Sequence, residues 1–279
     1  MIVKDTILFT PVNKTRGLHI WLPDDYDMSE ERYPVMYMFD GHNLFSDEDA
    51  TYGKSWGLAG FMRRYEKPMI IVGLECGHEG NERLIEYCPY KNFKAWFCGT
   101  LNGIGDETMD WMVNTLKPMI DARFRTYPDR ACTGIAGSSM GGLMALYAVM
   151  AHNDVFSKAA CLSPAIGPCI GQMHRDLESR TLDPDTRVYL SWGEVEAGRG
   201  GLMTSRMAQM NIDMCERLRA KGVLAQVYGQ PKGGHNEASW ELQNNLYMRW
   251  LWNDTKLFKH LGKETRNVRT FDGEKLFQL

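Results

Sequence analysis

Residues 131–151 read ACTGIAGSSMGGLMALYAVMA, and this stretch decides the fold. An apolar run, ACTGIA, leads into Gly137-Ser138-Ser139-Met140-Gly141, and a second, LMALYAVMA, leads out. The first run suits a buried strand and the second a helix. Between them lies G-x-S-x-G, the pattern of a sharp strand-to-helix turn that lifts a serine hydroxyl above the end of a sheet. The residues flanking Ser139 must be small for the chain to turn so tightly, and Gly137 and Gly141 meet that need. Gly142 lets the helix approach the sheet closely. The serine would then sit at a helix N-terminus, where free N–H groups and the helix dipole favour negative charge. The competing reading is a Gly/Ser turn without chemistry. A phosphate-binding turn fits worse, because GIAGSSMGG has neither G-x-G-x-x-G nor a P-loop lysine.

Outward from the turn, short apolar runs alternate with helical patterns. Strands are expected over 5–12, 18–22, 35–39, 69–74, 131–136, 158–162, 187–192 and 224–228. Helices are expected over 58–65, 107–123, 141–151, 203–221 and 240–252, with Gly222 as a C-terminal cap for the fourth. The first two strands read as an antiparallel pair at a sheet edge. The others alternate with helices, which predicts an α/β fold, a mostly parallel sheet of about eight strands with helices on both faces. The stretches 76–105 and 165–186 read as irregular loops, of the kind that shape a cleft beyond strand C-termini. One domain is expected over 1–253, with a tail over 254–279 packing on the surface or at an oligomer contact.

Composition narrows the class. The chain has 279 residues, 44% hydrophobic and 24% charged, with a formal net charge of −3. That balance favours neither nucleic acid nor an anionic membrane as partner. No apolar run reaches the ~18 residues of a membrane span. The start, MIVKDTILFTPVNKTRG, lacks the basic segment and apolar stretch of a signal peptide, so a cytoplasmic protein is expected. The seven cysteines have irregular spacing and form no Cys-x-x-Cys, which reads as buried free thiols rather than a metal or redox site.

A serine hydroxyl needs a base. In this fold the order along the chain is serine, acid, histidine. His235 meets it: a strand, the loop PKGG, His235, then a helical stretch. The acid should follow the preceding strand, RVYLSWG, where Glu194 and Glu196 stand. Glu196 is the first choice, because the extra turn residue gives its side chain room to reach back, and Glu194 is the second. The oxyanion hole needs two backbone N–H groups. One is expected from Met140, the residue after the nucleophile, and the other from the loop DGHNLF after the third strand. There the N–H of His42 is the first candidate and that of Asn43 the second.

These segments carry a resemblance. YPVMYMFDGHNLF, GKSWGL, RLIEYCPY, GIAGSSMGGLMALYA, VFSKAACLSPAIG, RVYLSWGEVEAG and GGHNEASW resemble the Putative esterase family of α/β-hydrolases. That family includes esterase D-like enzymes, feruloyl and acetylxylan esterases, enterochelin esterases and mycolyltransferases. The resemblance spans roughly residues 5–252. It implies Ser139 and His235 as nucleophile and base, and oxyanion donors at His42 and Met140. It implies an acid three residues beyond the strand-end glycine, which counted from Gly193 is Glu196. One departure is Glu237, where many relatives have an aromatic residue.

The expected chemistry is hydrolysis of a small or sugar-linked ester through an acyl-enzyme on Ser139, with no metal or organic cofactor. Acyl transfer and thioester hydrolysis would use the same residues, and a relative that only binds ligand would keep the fold. Asn43, Trp56 and Tyr87 are the expected substrate-binding residues, with Tyr90, Phe93 and Trp96 as further aromatics for the site.

Overall fold

The strands at the centre are apolar on both faces, so the sheet needs cover on both sides. In the computed structural model, which describes residues 1–91, 93–95, 99–196 and 201–253, it has that cover. The strands are β1 (Ile2–Phe9), β2 (Lys14–Trp21), β3 (Val35–Phe39), β4 (Ile70–Leu74), β5 (Phe93–Ala95), β6 (Gly99–Leu101), β7 (Thr133–Ser138), β8 (Lys158–Leu162), β9 (Arg187–Gly193) and β10 (Leu224–Gln230). The helices are α1 (Leu58–Met62), α2 (Glu82–Glu86), α3 (Gly105–Trp111), α4 (Lys117–Arg123), α5 (Met140–Ala151), α6 (Ile170–Ser179), α7 (Leu202–Ala220), α8 (Glu237–Glu241) and α9 (Asn244–Trp252).

Eight strands form one sheet in the order β1-β2-β4-β3-β7-β8-β9-β10. The neighbours from β4 through β10 are parallel, and β2 runs antiparallel to both β1 and β4. The period-two alternation of β3 divides the core. Val35, Tyr37 and Phe39 join one apolar cluster, while Met36 and Met38 join the other. The larger cluster includes side chains of α3, α5, α6 and α7, and the smaller includes those of α1, α8 and α9. Helix α5 is buried from Met140 to Met150, which explains why LMALYAVMA is apolar on every side. This is the α/β-hydrolase fold.

Several boundaries differ from expectation. The first strand runs over Ile2–Phe9, because Pro11 and Val12 lie in the turn that ends at Asn13, with φ 53°. The expected helix over 107–123 is α3 and α4 joined by a π-helical turn, Met112–Leu116. Pro118 follows that turn. A proline ring crowds the carbonyl four residues back, and the wider turn relieves it. The helix expected over 240–252 is two, α8 and α9. The stretch 165–186 contains α6, and 76–105 contains α2 and the β5–β6 hairpin. Helix α7 ends as expected: Gly222 has φ 85° and the Val223 N–H returns to Leu218 O at 3.1 Å. Cys76, Cys132, Cys161, Cys169 and Cys215 are free and buried, and Cys88 is buried, while Cys98 and the tail 254–279 lie outside the described residues. Among the described residues no helix is long and apolar enough to cross a membrane.

Candidate active site

Ser139 is the hinge between β7 and α5, with φ 55° and ψ −120°. Such a conformation costs about 1–3 kcal/mol for a residue with a side chain. The turn is locked by neighbours: the Ser139 N–H donates to Leu162 O at 3.0 Å, and its carbonyl accepts from Leu143 N at 3.0 Å and Ala165 N at 2.9 Å. The glycines are required. A Cβ on Gly137 would fall 2.5 Å from the Gly141 carbonyl carbon, and one on Gly141 would fall 2.9 Å from Phe39 Cβ. Met140 is the first residue of α5, and the helix's first turn closes only at Leu143 N. Its N–H is therefore one of those that the helix does not use.

The loop after β3 faces this turn. Asp40 is left-handed at φ 58°, ψ 51°, and Gly41–Asn43 form a 3-10 turn. The first hydrogen bond of that turn is Asn43 N–H to Asp40 O at 2.9 Å, so the N–H of His42 lies ahead of it. Arg83 on α2 clamps the Asp40 carboxylate with two bonds, Nε to Oδ1 at 2.7 Å and Nη2 to Oδ2 at 2.8 Å. Burial works to raise the Asp40 carboxyl, but the guanidinium, with smaller help from His42 and the Cys76 thiol, outweighs it and holds the group below the ordinary carboxylate range. The loop also rests on a close backbone approach. A Cβ on Gly41 would fall 2.5 Å from the Gly73 carbonyl carbon of β4. The His42 ring turns away from the backbone role: Nε2 lies 2.9 Å from Thr51 Oγ1 and the ring meets His78 edge-on at 4.8 Å. Burial lowers the His42 imidazole, so the ring favours its neutral form.

His235 and Glu196 meet. Glu196 Oε2 lies 3.2 Å from His235 Nδ1, and the Glu196 side chain is 1% exposed against 36% for His235. The Gly193 N–H donates to Glu196 Oε1 at 2.6 Å, and the Ser163 hydroxyl donates to the same oxygen. Ser163 follows β8, within the segment whose Leu162 and Ala165 backbone bonds Ser139. The acid and histidine loops are tied directly: Val195 N donates to Gly233 O at 2.9 Å and Lys232 N to Glu194 Oε2 at 2.9 Å. Glu194 is thus occupied at the surface while Glu196 turns inward. Asn236 caps α8 by accepting from Ser239 N at 3.0 Å, which fixes the helix directly after His235. Trp240 of α8 meets the His235 ring edge-on, with centroids 5.2 Å apart.

A match to the family described as Putative esterase covers residues 10–271. The chain belongs to that family. Over 150 residues it is 35% identical to the esterase Rv1288 of Mycobacterium tuberculosis, a match covering 53% of this chain and 29% of that protein. The chain therefore spans under a third of the length of that curated relative. Two solved structures share the fold: an IroE-like serine hydrolase from Shewanella oneidensis and the siderophore hydrolase EstA from Aspergillus nidulans. The first has TM-score 0.71 and 19% identity, covering 90% of this chain and 80% of the other. The second has TM-score 0.65 and 17% identity, covering 88% and 94%.

The remaining expected residues of this esterase-family site lie deeper. Trp56, 2% exposed, packs against Trp240 and Tyr247, and Tyr87, 1% exposed, accepts the Asp40 N–H on its hydroxyl at 3.2 Å. Asn43 Oδ1 accepts from Thr51 N at 2.9 Å. These side chains bind the loop after β3 and its neighbours, and their contact with substrate remains a proposal. Phe93 is core, Tyr90 donates to Asp176 Oδ2 at 2.7 Å, and Trp96 lies outside the described residues. Arg83, Ser163, Trp240 and Gly73 were not legible as site residues. Glu237, the departure from relatives, begins α8 at 6% exposure, and burial raises its carboxyl, with Asp40, His235 and Arg83 in its field.

Proposed function

We propose that this chain is a serine carboxylesterase. The observation that most supports the reading is the Glu196–His235 contact of 3.2 Å, with Glu196 bonded by Ser163 from the segment whose backbone bonds the strained Ser139 turn. In the proposed reaction Ser139 Oγ attacks the ester carbonyl as His235 Nε2 takes its proton. Glu196 holds the Nδ1–H tautomer and stabilises the imidazolium. The oxyanion sits between the N–H groups of His42 and Met140. Each such donor typically contributes about 10²–10³ in rate. His235 then gives the proton to the leaving alcohol. Water, activated by the same imidazole, releases the carboxylic acid and restores Ser139. The proposed substrate is a small ester, including sugar-linked ones. The naming of one structural neighbour as a siderophore hydrolase adds siderophore esters to the candidates.

The test is a panel of p-nitrophenyl acetate, butyrate and octanoate, methyl ferulate and an acetylated xylooligosaccharide, beside labelling with a fluorophosphonate. Turnover and labelling that vanish in Ser139→Ala are the expected result. A folded protein that neither turns over nor labels would overturn the reading and favour a ligand-binding relative. Competing alcohols in the assay separate hydrolysis from acyl transfer by their products.

A further inference from the structure

Ser163 is 1% exposed and left-handed, at φ 46°. A non-glycine residue in that region is strained, so something must hold it there. Its N–H donates to Ser191 O at 2.9 Å, which fixes the backbone to β9. Its hydroxyl then has two neighbours. Trp240 Nε1–H donates to Ser163 Oγ at 3.0 Å, and Ser163 Oγ donates to Glu196 Oε1. The indole N–H can only donate, and a serine hydroxyl carries one proton. With its oxygen engaged by the indole, the Ser163 proton has one place to go, the Glu196 carboxylate. Trp240 also lies edge-on against the His235 ring. One side chain of α8 therefore touches the base directly and reaches the acid through Ser163.

We infer that Ser163 and Trp240 are positioning residues that set the orientation and charge of the Glu196–His235 pair. The inference rests on the proposed serine mechanism. The donated Ser163 proton draws negative charge towards Oε1, away from the oxygen that faces His235. Removing it leaves more charge for the imidazolium. The base should then hold its proton to higher pH and be neutral over a narrower range. His235 is faced by Glu196 from the acid loop and by Glu237 from α8, and neither changes in the variants below.

The experiment measures the rate of fluorophosphonate labelling and of p-nitrophenyl acetate turnover, as a function of pH, in Ser163→Ala, Ser163→Gly and Trp240→Phe. Glycine accepts the left-handed backbone, so Ser163→Gly removes the hydroxyl without adding strain and remains informative if Ser163→Ala fails to fold. A hydrogen bond to a charged group is worth enough that each Ser163 variant should lose about tenfold or more in rate. The acid limb of the rate profile should move to higher pH in both Ser163 variants, with KM little changed. Trp240→Phe keeps an aromatic ring but removes the N–H that engages the Ser163 oxygen, so the hydroxyl is held less firmly on Glu196, and should move the limb the same way by less. Folded Ser163 variants with an unmoved limb overturn the inference, even if their rates fall, because a purely structural role would do that. Wild-type rates in Ser163→Gly also overturn it. Wild-type protein that fails to label sinks the serine mechanism itself, a separate outcome.

Discussion

The Glu196 carboxylate has three donors around it, from Gly193, Ser163 and His235, and its side chain is buried. Glu194, two residues earlier, is exposed and accepts a backbone N–H from Lys232. The two glutamates should respond differently to the same substitution. Glu196→Gln presents an amide that can donate where an acceptor is needed, and should cost on the order of 10³–10⁴ in kcat. Glu194→Gln should leave kcat near wild type; steady-state kinetics on p-nitrophenyl acetate would decide it, and a reversed pattern would move the acid to Glu194. Ser139→Ala and His235→Ala should each remove nearly all turnover, and the double variant should lose little more, because the residues act as a unit. Glu237 allows a different prediction. Burial raises its carboxyl, so the folded state takes up its proton more readily than the unfolded state does. Its stabilising contribution is complete below the ordinary carboxylate range and is lost as pH rises through the folded value. At neutral pH the ionised group therefore opposes folding. Glu237→Gln should raise Tm near neutral pH, and thermal melts should show that gain fading by about pH 4.

Among elements, the loop after β3 depends most on its surroundings. Gly41 can approach β4 only because Gly73 has no side chain. A Cβ on Gly73 would meet Leu44 Cδ1 at 2.7 Å and Gly41 Cα at 2.8 Å. Gly73→Ala must push the His42 backbone away from its present place, and overpacking of this kind costs about 1–3 kcal/mol. It should lower kcat more than it raises KM, as expected when an interaction of the transition state is lost; a change confined to KM would argue that His42 N–H is not an oxyanion donor. The β3 loop was readable in the sequence because DGHNLF directly follows an apolar strand. Gly73 was not, since its partner lies more than thirty positions away. The same distance effect hid Ser163 and Trp240. Their bond spans 77 positions, and neither a strained serine nor a bonded indole leaves a periodic mark. Strands such as 35–39 and 158–162 were legible to the residue, because a strand buried on both faces reads as an apolar run, unbroken in VMYMF and following Lys158 in KAACL. Helix α6 was not, because the segment opens with Pro164 and Gly167-Pro168, which read as loop. For the acid, the extra turn residue favours Glu196 and leaves Glu194 as second choice, and the count from Gly193 comes from the family resemblance; Glu196 is the glutamate that lies against His235.

Across the whole molecule, the site and the core share one structure. Ser139, Glu196 and His235 follow β7, β9 and β10, and the two apolar clusters lie on the opposite faces of that same sheet. Arg83 and Asp40 join α2 to the end of β3 across this arrangement, with the Asp40 carboxylate buried. Removing one partner of such a pair leaves an uncompensated charge, at a cost of about 3–5 kcal/mol. Arg83→Met should show that loss in the global unfolding transition, since α2 and β3 contribute to the same apolar cluster. The sign of its pH dependence is set by Asp40. In the wild type the carboxyl is held below the ordinary range, so the pair stabilises above that range and the contribution is lost as pH falls through the folded value. Without the guanidinium, burial is the largest influence left on Asp40, against the smaller lowering by His42 and the Cys76 thiol, so the variant's carboxyl would protonate sooner on acidification and remove its own penalty. The gap between wild type and Arg83→Met should thus be widest near neutral pH and should narrow by about pH 4. Urea melts at both values, followed by tryptophan fluorescence and far-ultraviolet circular dichroism, would test this. A gap of equal size at both pH values would mean that Arg83 stabilises by packing over Tyr87 rather than by neutralising Asp40. Two separated transitions would mean that the α2 region unfolds apart from the sheet.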